Sequence, residues 1–221
     1  MPRPKRTDVA PVAHAPRPAP PDILFDDSNW IRRIVPADGV AEWVNETFLR
    51  DGAPLHNPDH EHLIGADVAY LWAAVENVRQ MRRVVGQCEE VTIRAGGWQR
   101  ARQEQQFLEW FGRVPAFLIT LDAHYARECN DLQWCALVEH ELYHIGRRTD
   151  EFGAPAFTKD GFPKLGIRAH DVSEFVGIVA RYGTGGPDSD ISKMVRAANA
   201  GPTISHASIA QACGTCILKA A

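Results

Sequence analysis

Long apolar runs are missing from this chain. No stretch approaches the roughly twenty residues that a bilayer-crossing helix needs, so no membrane partner is expected. Cysteine is scarce and odd in number, five in all. No apolar leader segment precedes the body of the chain. Together these predict a reducing compartment, the cytoplasm, and argue against a disulfide framework. Excess charge is small, at −4, which gives no general attraction to nucleic acid. What remains is 221 residues with 45% hydrophobic content, enough for one good core and a small satellite.

Within that plain composition, residues 134–145 read WCALVEHELYHI and contain the pattern HExxH. Positions four apart share a helix face, so His140 and His144 can direct their imidazoles at one metal ion. Glu141 then stands beside the metal and not on it. That division suits hydrolysis: two neutral imidazoles leave coordination positions open for water, and a free carboxylate next to them can take the water's proton. Leu137, Val138, Leu142 and Ile145 make the surroundings apolar, as in a core helix whose polar face looks into a cleft. Asn130-Asp131 can cap this helix, and Gly146 with Arg147 and Arg148 can close it.

Two imidazoles seldom hold a catalytic zinc, so a third protein ligand is expected further along. His170 and Glu174 are the candidates, four apart where residues 168–182 read as another helix. Asp171 and Glu174 have capping-box spacing, which gives Glu174 a structural reason to be there. A neutral imidazole at a helix start has less excuse, so His170 is the preferred ligand, with Glu174 the alternative and Asp171 a candidate to orient a ligating ring.

The rest of the chain frames this helix. Residues 1–22 form a Pro- and Ala-rich arm expected to be disordered, 23–185 the catalytic domain, and 186–221 a helical extension packed on it. Residues 40–50 have helical spacing of Val40, Val44, Phe48 and Leu49. His56, His60 and His62 lie in a Pro-containing loop that makes a poor preorganised metal site. Residues 66–75 and 82–91 read as strands that could pair as a hairpin, residues 98–111 as a helix ended by Gly112, and residues 117–121 as the clearest strand. Asp160-Gly161 predicts a turn-back between the motif helix and His170. At the C-terminal end two short helices are expected, around Met194 and around Ile209. The second leads into Cys213 and Cys216, whose spacing would suit a structural zinc completed by His206 and Cys88, Cys129 or Cys135, or two thiols in a packing helix.

HELYH followed by a turn-back and then HDVSEF, with Leu71-Trp72, residues 110–112 and residues 118–125 upstream, resembles the phage metallopeptidases, a zincin-like family of bacteriophages and prophages. Ser173 departs from the acidic residue usual there, at a position that is not a ligand candidate. The resemblance implies an α+β fold with a small mixed or antiparallel sheet packed against the HExxH helix. It also implies Zn2+ on His140, His144 and His170, Glu141 as general base, a peptide or protein substrate, and a bacterial host cytoplasm or a virion as the setting. In such peptidases an edge strand beside the helix commonly holds the substrate backbone. Two alternatives remain: a non-catalytic zinc-binding structural or host-interaction protein, and a SprT-like protease acting on DNA-bound proteins, with the arginines of residues 79–83 and 94–102 facing the DNA. Candidates for steadying the oxyanion are Tyr143, Tyr125, His124 and Arg168.

Overall fold

The computed structural model describes residues 16–26, 28, 31, 33–79, 81–172, 179–180 and 183–204, and the backbone alone of 212–213. Along the chain these form β1 (Ile34–Pro36), α1 (Val40–Val44), β2 (Val68–Ala73), β3 (Val78–Arg79), β4 (Arg82–Glu90) and α2 (Gly97–Phe111). Then follow β5 (Phe117–Asp122), α3 (Ala123–Glu128), α4 (Asp131–Tyr143), β6 (Ile145–Arg147), β7 (Leu165–Ile167), α5 (Asp190–Ala200) and β8 (Ala212–Cys213). The result is a mixed α+β fold built on a mixed sheet.

The sheet runs in the order β1-β2-β5-β4-β3, with β8 also paired to β4. The expected hairpin between β2 and β4 does not form. β5 lies between them, parallel to β2 from Val68↔Phe117 to Ala73↔Asp122 and antiparallel to β4 from Gly86↔Leu121 to Glu90↔Phe117. The reason lies in burial. β5, FLITLD, is covered almost throughout and belongs at the sheet centre. β4 makes its tight turn with β3 instead, at Val78↔Arg83. A parallel pair needs a long crossover, and α2 supplies a helix within it.

Alternation along the strands sorts the two faces. Ala69, Leu71 and Leu118 meet Phe107, Trp110 and Phe111 of α2, while Leu108 of the same helix is 52% exposed. Tyr70, Trp72, Phe117, Ile119 and Leu121 point to the other face and join the main core with Trp134, Leu137, Val138 and Leu142 of α4. Trp134 stacks on Trp72 at 5.4 Å and lies 5.8 Å from Trp43. The anticipated helix of residues 40–50 is α1 continued as a π-helix, Asn45–Leu49.

The start of α4 is fixed as expected. Asn130 accepts from the Gln133 amide at 2.9 Å, and the Gln133 side chain returns the bond to the Asn130 amide at 3.1 Å. Its end is earlier than expected: His144 is the C-cap and Gly146 belongs to β6. Gly146 serves a close approach and not a cap, since a Cβ there would lie 3.1 Å from the Arg168 Cβ. Residues 1–15 of the expected arm lie outside the described residues. Arg17, however, is docked: it donates to the Cys129 carbonyl at 2.8 Å and pairs with Asp131 at 3.3 Å, beside the start of α4.

The first C-terminal helix is α5, with Ser189 accepting from the Ser192 amide as its cap. The second falls on residues outside the described ones, except that 212–213 are strand and not helix, pairing with β4 at Val84 and Gly86. β4 is therefore not an open edge at those positions. No helix among the described residues is long and apolar enough to cross a membrane. Because the Asn130 box closes two backbone donors of the helix that carries the motif, Asn130→Ala should lower stability by about 1 kcal/mol. Denaturant unfolding reads this directly, and an unchanged midpoint would show that the cap contributes nothing.

Candidate metal centre

His140 lies in the last turn of α4 and His144 caps it, so a single helical turn presents both rings, 5.1 Å apart between centroids. The chain then runs out through β6, turns, and returns through β7 with the register Ile145↔Ile167 and Arg147↔Leu165. Asp160-Gly161 does form a turn within this excursion: the Thr158 amide donates to the Phe162 carbonyl at 2.7 Å, and Gly161 sits at φ +83°. Continuing the pairing one step beyond β7 brings Arg168 opposite His144. The Arg168 amide donates to the His144 carbonyl at 2.7 Å, and His144 Nδ1 meets the Arg168 carbonyl at 2.8 Å.

That second bond decides the tautomer. A carbonyl oxygen can only accept, so Nδ1 carries the hydrogen, and in the neutral ring Nε2 is then the nitrogen with a lone pair for a metal. Two residues on, His170 arrives with its Nε2 3.3 Å from His140 Nε2, and its ring centroid is 5.0 Å from that of His140 and 5.2 Å from that of His144. One potential ligand atom from each of the three rings falls within 4.8 Å of the others, and this is the group among the described residues that could hold a metal ion. Burial, and then the neighbouring His144 and His170, hold the His140 pKa down to about 4. The ring is thus a neutral donor at ordinary pH, the form a metal requires. Glu174 lies outside the described residues. Asp171 pairs with Arg168.

Glu141 is fully buried on the same turn. Its carboxylate fits because β4 carries a glycine opposite it: a Cβ on Gly86 would fall 2.6 Å from Glu141 Oε1 and 2.9 Å from the Leu137 Cδ1. Sequence reasoning missed Gly86. The available signal was a glycine inside a strand pattern, which marks a close approach.

The histidines of residues 56–62 form no metal-capable group among the described residues. His60 is buried against Tyr143, 4.5 Å between rings, His62 Nε2 donates to the Ile145 carbonyl at 2.6 Å, and His56 lies 3.9 Å from Asp51. Cys88, Cys129 and Cys135 are each buried, and burial pushes the Cys135 thiol up to about 12 and those of Cys88 and Cys129 upward. None belongs to a metal-capable group among the described residues. His206 and Cys216 lie outside those residues, as does the Cys213 side chain.

A cavity of about 500 Å³ opens onto the three imidazoles, with Asp59, Tyr143, Arg168, Val172 and Met194 on its walls. Of the residues considered for an oxyanion, Tyr143 and Arg168 line it, whereas His124 packs on Phe25 and Tyr125 is buried in the core. The arginines expected to face DNA are partly engaged: Arg83 forks onto Asp122 at 2.9 and 3.0 Å, and Arg100 pairs with Glu104 at 2.7 Å. Gly86→Ala should displace the Glu141 carboxylate and cost about 1–3 kcal/mol of stability through overpacking. Its metal affinity should stay near that of the parent, because the atoms nearest the new methyl belong to Glu141 and Leu137. Metal titration alongside unfolding tests this; equal stability would mean the clearance at Gly86 is not needed.

No curated protein and no solved structure matches the chain. The family described as "Putative phage metallopeptidase" matches residues 41–199, a span that takes in β2 to β7, the motif helix and all three imidazoles. The chain belongs to that phage metallopeptidase family.

Proposed function

We propose that this protein is a zincin-like peptidase that uses Zn2+ on His140, His144 and His170 to hydrolyse peptide bonds. The meeting of three imidazoles, two of them flanking a buried Glu141 in the motif sequence, carries this reading. Three nitrogen donors with the remaining position left to water form the ligand pattern of catalytic zinc, and soft thiolates are absent from the group. The second-sphere bond from His144 to the Arg168 carbonyl is of the kind that orients ligating imidazoles. A carboxylate buried as Glu141 is costs much in isolation and is stabilised by a cation beside it.

A zinc ion held there supplies Lewis acidity, making water a better nucleophile and a carbonyl a better electrophile. Glu141 takes the proton from the attacking water and delivers it to the departing amine as the tetrahedral species collapses. Its burial against Gly86 holds the carboxylate in one place and keeps bulk water off it. Tyr143 and Arg168 stand on the cavity wall, where a donor could steady the oxyanion.

Glu141→Gln should keep one equivalent of zinc and lose peptide hydrolysis by about 10²-fold or more, since an amide cannot accept the proton. Metal analysis and a fluorogenic peptide assay on the same preparation check it, and parental turnover would remove Glu141 from the mechanism. His170→Ala should lose zinc affinity by more than the about 10–100-fold typical of an outer-sphere partner. Full retention of metal by that variant would exclude His170 as a ligand.

A further inference from the structure

The histidine-rich segment ahead of the sheet is not a second metal site, yet it is tied closely to the motif helix. Asn57 caps the 3-10 helix Pro58–Leu63, accepting from the Asp59 amide at 3.0 Å. The Asn57 amide group donates to Glu139 Oε1 at 2.8 Å and to the Tyr143 hydroxyl at 2.9 Å. That hydroxyl in turn donates to Asp59 Oδ2 at 3.0 Å. His60 packs edge-on against the Tyr143 ring, and His62 holds the Ile145 carbonyl. Glu139, Tyr143 and Ile145 interleave with His140 and His144, so the clamp and the candidate metal centre share the backbone of residues 139–145.

What the clamp delivers is a carboxylate. Asp59 is exposed on the wall of the cavity that holds the three imidazoles, and its position is fixed by a phenol and by its own backbone turn. Arg168 and Asp171 on the same cavity pair with each other. Among the described residues the Asp59 carboxylate accepts from the neutral Tyr143 hydroxyl and forms no ion pair. Val172 and Met194 add apolar surface to the same cavity. A long basic side chain matches both features, laying its aliphatic stem on apolar surface and its charged head on a carboxylate.

We propose that Asp59 is a specificity-determining residue that selects peptides with Lys or Arg next to the scissile bond. This rests on the peptidase reading above. In kind it is a charge contact at a solvent-exposed rim, worth about fivefold in selectivity and weakened by salt.

The test uses the full-length, zinc-loaded protein and N-acetylated fluorogenic peptides that differ only in Lys, Leu or Glu at each position flanking the cleavage site. Blocked N-termini ensure that a side-chain cation, and not a terminal amine, is being read. The parent should prefer Lys over Leu by about fivefold in kcat/KM at low salt. Asp59→Asn, which keeps an acceptor for Tyr143, should level the two, and Asp59→Lys should turn the preference toward Glu. Asp59→Lys retaining the parental order overturns the proposal. The same peptides titrated into metal-loaded Glu141→Gln, with and without Asp59→Asn, read the preference without turnover. If no peptide is cleaved but the charge preference in binding follows residue 59, the peptidase reading fails and the role of Asp59 stands. Cleavage with a Lys-to-Leu ratio indifferent to residue 59 leaves the reverse.

Discussion

The exchange between His144 and Arg168 is the constraint on which the centre depends. Two bonds of 2.7 and 2.8 Å join these residues, one to the His144 carbonyl and one from its ring. The first ends the excursion that β6 and β7 make from the motif helix. The second sets the tautomer of a ring that must present Nε2. A single local contact therefore fixes both the position of the strand that brings His170 and the protonation pattern of its neighbour. It extends the β6–β7 pairing to within two residues of His170.

The sheet contributes through a different contact. β4 is antiparallel to β5, and the pairing Gly86↔Leu121 places a residue without a side chain where the Glu141 carboxylate lies. β5 flows into α3 and then α4, with Asp122 capping α3 through the Tyr125 amide at 2.9 Å while also receiving the Arg83 fork. That ion pair ties β4 to the strand that leads into the motif helix, close to the register step where Gly86 must sit. A one-residue slip of β4 would bring Val85 or Gln87 opposite the carboxylate, and either would fill its space.

The motif helix, its cap and its donors were legible because each rests on local chemistry: i, i+4 spacing for His140 and His144, and capping-box spacing for Asn130 and Gln133. The return of the chain to the site was legible through Asp160-Gly161, which has little use except in a tight turn. Strand order was not. β2, β4 and β5 all carry apolar stretches with similar β propensity, and only the degree of burial of β5 decides that it takes the centre. The helix end was misjudged because Gly146 signals either a left-handed cap or a close approach, and the neighbour that decides, Arg168, is remote in sequence. Gly86 shares that ambiguity. The histidines at 56, 60 and 62 were legible as poor ligands from their loop setting, but not as a ring that packs on Tyr143 or one that donates to the Ile145 carbonyl, since those partners are remote in sequence.

The charge pattern around the cavity follows from the same geometry. Carboxylates around a cluster of imidazoles avoid a penalty only if each is neutralised, solvated or placed to meet a cation. Asp171 takes the first course, through Arg168. Glu141 is buried at 0% exposure, beside the rings that would share a divalent ion. Asp59 is left to solvent, yet it is held by Tyr143, a residue of the motif itself. A flexible surface carboxylate loses little by being solvated. One held by a phenol from the ligand-bearing helix has given up side-chain entropy. Stability alone gives a weak return for that ordering, because an exposed hydrogen bond of this kind contributes little net free energy. Fixing a charge relative to a bound peptide is a gain of a different sort, since it reduces the ordering cost at the moment of binding. On the proposed reading, the clamp from Asn57 to His62 preorganises the cleft by tying the 3-10 helix that carries Asp59 to the helix end that carries His140 and His144.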